Sequence, residues 1–500
     1  MNLADIIPQV LHIDPAANAI EYDERWATYG ELAHVSGRIS SLLAGMDLAP
    51  DTRVGVLLRN QGDLVPVLLS LFSSNLCLAT FNASSPDAKL VDDLGRDAVP
   101  VLIGTAADIA REPVRAAARD TGAAIIAIEG QTVSLVEKGG ASIASKPVAP
   151  GIVIEMLSSG TTGTPKRIPL GRKNFEKALM GAMQYEKGRD PDSPPRLRKG
   201  VHLQTAPLAH IAGLIGLMNN FLAGRQICLI DKFDLAHFHG AIMRHRPKVV
   251  SAPPAALRMI FDANIPKEDF ASLAAFRTGT APLDPDLADA FYDRYAIPVL
   301  QNYGATEFAG GVAGWTMDDF KAHWKAKRGS VGRLNKGVEA HAVDPESGQV
   351  LPPGEQGLLE LRAPNIKDGV EWIRTTDLAV VDEDRFLFLR GRHDGVIVRG
   401  GFKIMPDDIV KAMQSHPAVR EAAVVGIKDR RLGEVPVAGW LARTGAELPE
   451  EDAFRSWLKE RLLPYQVPVR IRRLDEFPRT PSLKVDQPAL REILAGEVSG

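Results

Sequence analysis

The sequence predicts an α/β protein, with a large, layered α/β N-terminal domain followed by a small α+β C-terminal domain. Three observations predict it. Apolar, β-branched runs alternate with longer segments of helical period over the first 390 or so residues, the rhythm of βαβ units and largely parallel sheets. After GRHDG (391–395) the elements become short and charged. Finally, 500 residues exceed what one hydrophobic core usually serves, so at least two domains are expected.

The elements follow in chain order. RVGVLL (53–58) reads as a buried strand. VPVLLSLFSSNLCLATF (65–81) is the longest apolar run, but Ser73, Ser74 and Asn75 interrupt it, so it reads as a buried helix entering a strand rather than a membrane span. PVLIG (100–104), AAIIAI (123–128) and KVVSA (248–252) are further strands, and SKPVAPG (145–151) is a linker before the strand GIVIEM (151–156). In the C-terminal part, AAVVGI (422–427) and VPVAGWLA (435–442) read as strands and EDAFRSWLKERLL (451–463) as a helix. The domain boundary is placed at the GRHDG turn, giving domains 1–392 and 393–500.

Composition excludes several functions. With 45% hydrophobic and 24% charged residues and a formal charge of −3, the chain offers no general attraction to nucleic acid or anionic membrane. Cys77 and Cys228 lie far apart in apolar stretches without partners at zinc spacing, and read as buried free thiols. MNLADIIPQV lacks the features of a signal peptide, so a cytoplasmic location is expected. There is no HExxH zinc helix and no GxSxG nucleophile elbow. No feature speaks to oligomeric state.

One segment points to chemistry. In GIVIEMLSSGTTGTPK a strand runs into a Gly/Ser/Thr loop whose backbone N–H groups and hydroxyls can converge on an anion, with Lys166 adding positive charge. That suits phosphate. It is not a Walker loop: Gly160 and Gly163 are three apart, and Pro165 precedes the lysine and opposes an immediate helix. On residue content alone, a flexible linker fits the segment as well.

The whole chain resembles the adenylate-forming (AMP-binding) superfamily of acyl-CoA synthetases, nonribosomal peptide adenylation domains and luciferases. The resemblance rests on the order and spacing of SSGTTGTPK (158–166), PLAHIAG (207–213), TGTAPL (278–283), YGATE (303–307), GLLELR (357–362), RTTD (374–377), GRHDGVIVRGGFKI (391–404) and TPSLK (480–484). It implies the fold of those enzymes and ATP, magnesium and coenzyme A as cofactors.

It also implies roles. Ser158, Ser159, Gly160, Thr161, Thr162, Gly163 and Lys166 would bind phosphates. Gly279, Thr280, Ala281 and Pro282 would line the adenine, where small residues let backbone approach the base. Tyr303 would stack on the purine with Asn302 and Gly304 beside it, Thr306 would touch a phosphate oxygen, and Glu307 would ligate magnesium. Asp377 would accept from the ribose hydroxyls, with Arg392 as its partner. His210 would sit beside the carboxylate pocket, and Lys484 would reach the substrate carboxylate and α-phosphate from the small domain. Asp394 would be the hinge on which that small, mobile domain swings. Read singly, Glu307, Asp377 and Arg392 are surface charges and His210 a core histidine.

The implied reaction activates a carboxylic acid to an acyl-adenylate with pyrophosphate release, then passes the acyl group to a thiol. Coenzyme A is the first choice of acceptor and a carrier-protein pantetheine the second. No carrier domain is fused; GGAS (139–142) lacks the acidic context. Small or apolar walls at 210–213, 252–257 and 308–311 favour an apolar fatty or aryl acid, and the absence of an aspartate at Ala209 or His210 disfavours an amino acid. Three positions depart from the family pattern: Thr376 and Leu483, each where a glycine is usual, and Val398, where a lysine commonly follows the hinge. These departures leave open a non-catalytic protein that binds nucleotide or acyl-adenylate, although retention of Lys484 argues against it.

Overall fold

The structure is a computed structural model that describes residues 2–140, 148–157, 167–183, 193–366, 369–399, 402–480 and 482–496. The chain divides into two compact units, the first comprising residues 1–324 and 363–371 and the second residues 325–362 and 372–500. The GRHDG turn therefore lies inside the second unit.

The first unit is built on three sheets. The largest runs in the order Thr132–Glu137, Ala124–Glu129, Val101–Thr105, Arg53–Leu58, Cys77–Asn82, Ile152–Leu157, Arg167–Gly171. Its inner strands are parallel and both edges antiparallel. Arg53–Leu58 is buried at every position, as expected of a strand covered on both faces. The run at 65–81 folds as read, a helix Val65–Ser73 whose residues are buried up to Phe72, followed by the strand Cys77–Asn82. Both cysteines are buried free thiols. A second sheet aligns Val201–Gln204, Gln226–Leu229 and Asn18–Tyr22 in parallel, with Arg25–Thr28 antiparallel at its edge. In the third, Val249–Ser251, Ala275–Thr278 and Val299–Ala305 are parallel, and Val299–Ala305 turns back antiparallel to Gly310–Gly314.

The second unit differs from the βαβ rhythm expected up to residue 390. Glu339–Val343, Gln356–Arg362, Ile373–Val381 and Leu387–Arg392 form an antiparallel meander, with no α-helix among the described residues between consecutive strands. Beyond it, Val419–Asp429 and Gly433–Ala442 pair over their length, and Arg470–Arg473 adds parallel to the latter. The helix expected at 451–463 is shorter, Glu451–Lys459, and its Phe454 and Leu458 enter a core with Ile409, Met413 and Trp440. No helix among the described residues is long and apolar enough to cross a membrane.

Candidate active site

In open α/β sheets ligands gather at the carboxyl ends of the strands, and in the first unit the candidate residues follow such ends. Ile152–Leu157 leads into 158–166, so Ser158, Ser159, Gly160, Thr161, Thr162, Gly163 and Lys166 lie outside the described residues. The described chain resumes as the strand Arg167–Gly171, and this strand contacts the turn Thr306–Phe308. The strand that follows residues 158–166 and the YGATE segment are thus neighbours.

Ala275–Thr278 leads into Gly279, Thr280, Ala281 and Pro282; Val299–Ala305 carries Asn302, Tyr303 and Gly304 and leads into Thr306 and Glu307. Two glycines make this arrangement possible. A Cβ on Gly279 would fall 2.0 Å from Asn302 Oδ1, and one on Gly304 would fall 2.2 Å from the Gly310 carbonyl oxygen. Removing both side chains lets the segment 279–282 and the hairpin 299–314 close on one another. Asn302 and Glu307 are exposed, while Tyr303 is half-buried with its ring edge-on to Phe308. The Asn365 amide donates to the Phe308 carbonyl and secures the end of this turn.

His210 is the N-cap of the helix Ile211–Leu222, with its backbone N–H donating to Pro207 O at 2.9 Å and its carbonyl accepting from Gly213 and Leu214. The same helix brings Ile215 against Gly310, where a Cβ would lie 3.0 Å from Ile215 Cδ1. His210 and the small residues 309–311 therefore belong to one neighbourhood. Gln204, whose amide donates to Ala206 O at 2.8 Å, also bonds His202 at 3.2 Å, and burial foremost pushes the His202 pKa down to about 4.

A residue that sequence reasoning missed holds that loop. Asn60 is 1% exposed; its amide donates to Ala206 O (3.2 Å) and Ile230 O (3.0 Å), and its oxygen accepts from Leu208 N (2.8 Å). Its partners lie 146–170 residues away, and no local pattern announces them.

In the second unit, Asp377 and Arg392 are register partners across the meander. Arg392 Nη2 donates to Thr376 Oγ1 at 2.8 Å, while Thr375 Oγ1 accepts from Asp377 N at 3.0 Å. Thr376, a departure from the family's glycine, thus supplies the hydroxyl that orients Arg392. Lys484 belongs to the same group: reduced hydration of its amine, and after that the Arg392 guanidinium, lower its pKa, and the Asp377 carboxylate opposes them. Asp394 lies in a single 3₁₀ turn, His393–Gly395, directly after Arg392, and Val398 is exposed on the strand Ile397–Arg399.

Leu483, the other departure beside the candidate lysine, has φ +60°. The conformation is held by Thr480 N to Lys484 O (2.9 Å), Leu483 N to Thr480 O (2.8 Å) and Arg479 Nη1 to Leu483 O (3.0 Å), with Arg479 itself anchored on Glu421. The left-handed region costs a leucine about 1–2 kcal/mol and a glycine almost nothing. Leu483→Gly is therefore expected to stabilise the unit by about 0.5–1 kcal/mol, the remainder being offset by the freer unfolded chain. Thermal denaturation checks this, and an unchanged or lower midpoint would refute the strain.

Among the described residues one Cys/His/carboxylate group, Glu21, Cys228 and His245, is tight enough to share an ion. Both Glu21 oxygens are already engaged, by Arg244 at 3.1 Å and His245 at 2.5 Å, and burial foremost pushes the Cys228 thiol up to about 12. It is an ion-pair cluster.

With this geometry in hand, likenesses to known proteins are informative. The profile of the AMP-binding enzyme family matches residues 10–370, and that of the AMP-binding enzyme C-terminal domain matches residues 410–484. The chain is 28% identical to 4-coumarate–CoA ligase 3 of Oryza sativa subsp. japonica over 94% of this chain and 88% of that one. It is 27% identical to 2-succinylbenzoate–CoA ligase of Bacillus cereus over 96% of each, and 31% identical to 4-coumarate–CoA ligase-like 6 of Arabidopsis thaliana over 69% of this chain and 62% of that one. Among solved structures, ATP-bound MatB from Rhodopseudomonas palustris superposes with a TM-score of 0.83 at 23% identity, covering 99% of both chains. The o-succinylbenzoate CoA synthetase MenE from Bacillus subtilis, in complex with its acyl-adenylate intermediate, gives 0.77 at 22%, covering 97% and 98%. These structural likenesses establish the fold.

Proposed function

The chain belongs to the AMP-binding enzyme family, and from that premise we propose that it activates an apolar carboxylic acid, fatty or aryl, with ATP. The product is an acyl-adenylate, pyrophosphate leaves, and the acyl group then passes to coenzyme A. It is an AMP-forming acid–thiol ligase, and a cytoplasmic location fits these substrates. The observation that carries this reading is the grouping of Lys484 with Asp377 and Arg392.

The acid has a pKa near ~4 and is ionised at neutral pH, so its attack on the α-phosphate needs no general base. The obstacle is bringing one anion to another, and catalysis is positioning plus neutralisation of charge. Lys166 and the hydroxyls and amides of 158–163 hold phosphates, and Thr306 adds a hydroxyl. Gly279 to Pro282, Asn302, Tyr303 and Gly304 receive the base, with the absent Cβ atoms of Gly279 and Gly304 letting these two segments close on one another. Asp377 and Arg392 hold the ribose. Glu307, an exposed carboxylate, is the hard oxygen ligand for magnesium, which would offset phosphate charge. Lys484 supplies a positive charge to the pentavalent phosphorus as the acyl oxygen bonds and pyrophosphate departs. His210 borders the acid pocket, whose remaining walls are small or apolar. For thioester formation, the small domain, residues 393–500, rotates at Asp394 and withdraws Lys484.

Pyrophosphate release with ATP and magnesium, measured across fatty, aryl, dicarboxylic and amino acids with and without coenzyme A, tests the reading. Sustained turnover for an apolar acid only when coenzyme A is present is expected. A single equivalent in both cases would replace coenzyme A by a carrier-protein pantetheine, and no release with any acid would defeat the proposal.

A pH dependence follows from the depressed Lys484 pKa. The ammonium form is the one that stabilises the transition state, so adenylate formation is present below the folded pKa and lost as pH rises through it. The alkaline limb is expected below the ordinary lysine value of 10.5, and Lys484→Arg, which stays charged, should move it upward. An identical alkaline limb in both proteins would assign it to another group.

A further inference from the structure

A methionine from beyond Asp394 is seated in the meander. Met405 is the N-cap residue of the helix Pro406–Gln414, whose Ile409 and Met413 enter the core that holds Phe454, Leu458 and Trp440. Its side chain, however, packs on Val343, Leu358 and Leu378. These three form one apolar row across the meander, Val343 opposite Leu358 and Leu358 opposite Leu378. Met405 also reaches the fourth strand, Leu387–Arg392. A Cβ added to Gly391, which has φ +99°, would lie 2.9 Å from Met405 Cε and 2.8 Å from Asp407 Oδ2. Gly391 thus leaves room for the segment 405–407 to close on the meander.

The seat adjoins the charged group described above. Leu378 follows Asp377 and Gly391 precedes Arg392, and both charged residues act on the Lys484 amine. Lys484 and Met405 move together, because one strand joins them. On Val419–Asp429, Ala422 and Val424 share a core with Ile409 and Met413, while Ala423 and Val425 belong to the cluster on which Val485 packs. A rotation at Asp394 that withdraws Lys484 must therefore unseat Met405. Unseating returns part of the apolar row to water, so the seat favours the arrangement in which Lys484 meets Asp377 and Arg392. A flexible thioether fits such a contact, which is made and broken without a fixed bonding geometry.

We propose that Met405 is a positioning residue that holds Lys484 at the site for adenylate formation and must leave the meander before thioester formation. The inference rests on the reading that residues 393–500 rotate at Asp394. It assigns Met405 no contact with substrate.

The test is Met405→Gln, which keeps the length of the side chain and loses its apolar end. Met405→Ala replaces it should it fail to fold, and Met405→Leu is the conservative variant. Each half-reaction proceeds in its own arrangement, so its rate follows that arrangement's population. Adenylate formation from ATP and acid, relative to thioester formation from supplied acyl-adenylate and coenzyme A, is expected to fall by about tenfold in Met405→Gln. Met405→Leu should keep the wild-type ratio. A wild-type ratio in folded Met405→Gln overturns the proposal, as does an equal loss of both half-reactions, which marks a merely structural residue.

Distances between spin labels keep this question separate from failure of the ligase reading. Labels on Val350→Cys in the meander and Leu448→Cys in the C-terminal part attach at exposed positions, while Cys77 and Cys228 are buried. Without substrates, Met405→Gln should raise the weight of a second distance by about tenfold against the first. An unchanged distribution overturns the proposal whatever reaction the protein catalyses.

Discussion

Lys484→Ala is expected to slow acyl-adenylate formation by on the order of 10²–10³-fold, the loss typical of removing one donor aimed at developing transition-state charge. The melting temperature should not fall, since reduced hydration of the Lys484 amine works against its charged form in the folded chain. Asp377 and Arg392 keep their register, and Arg392 keeps its bond to Thr376, so affinity for AMP should be retained. The second half-reaction distinguishes this from general damage: with acyl-adenylate supplied, transfer to coenzyme A should proceed near the wild-type rate. Stopped-flow or radiolabelled adenylate assays read the first step, and thioester absorbance reads the second. Unchanged adenylate formation would remove Lys484 from the catalytic set and revive the non-catalytic binder, whereas parallel loss of both steps would make it a structural residue.

The sequence disclosed what depends on local pattern. The buried strand at 53–58 and the helix-to-strand passage at 65–82 follow from runs of β-branched and apolar residues broken by Ser-Ser-Asn. The meander at 339–392 was not separable from the preceding α/β rhythm, because a half-buried strand has the same composition whether its neighbour is parallel or antiparallel. The candidate site was legible as motifs, and in the first unit those at 279–282 and 302–307 lie at or follow strand ends. What stayed hidden were the residues that hold the motifs. Asn60 bonds a loop about 150 positions away, and Arg167 has its counter-ion at Asp97. Neither position has a periodicity or spacing that could give its partner. Thr376 and Leu483 illustrate the converse: each read as a defect against a glycine, yet one hydroxyl orients Arg392, and one backbone occupies the left-handed region that glycine would favour.

Gly304→Ala carries the second large effect, and its logic is steric. The hairpin pairs Gly304 with Gly311 and Ala305 with Gly310, bringing two backbones so close that an added Cβ meets Gly310 O at 2.2 Å and Gly310 C and Gly311 Cα at 2.8 Å. These are backbone atoms, so no rotamer change relieves the clash, and the strands must part by about 1 Å to restore van der Waals separation. Overpacking of this kind costs about 1–3 kcal/mol, which lowers the melting temperature but leaves the unit folded. The functional loss should be larger, because the displaced strand carries Tyr303 and leads directly into Thr306 and Glu307. A misplacement near 1 Å at a positioned group costs on the order of 10²-fold in rate, and both kcat and affinity for ATP with magnesium should fall. Gly314→Ala is the milder comparison: it lies on the same hairpin, where an added Cβ would press Asn302 Cβ at 3.3 Å, and it should lose less activity. Wild-type kinetics in Gly304→Ala would mean that the hairpin yields without moving the site, and the roles given to Tyr303, Thr306 and Glu307 would then have to be sought elsewhere.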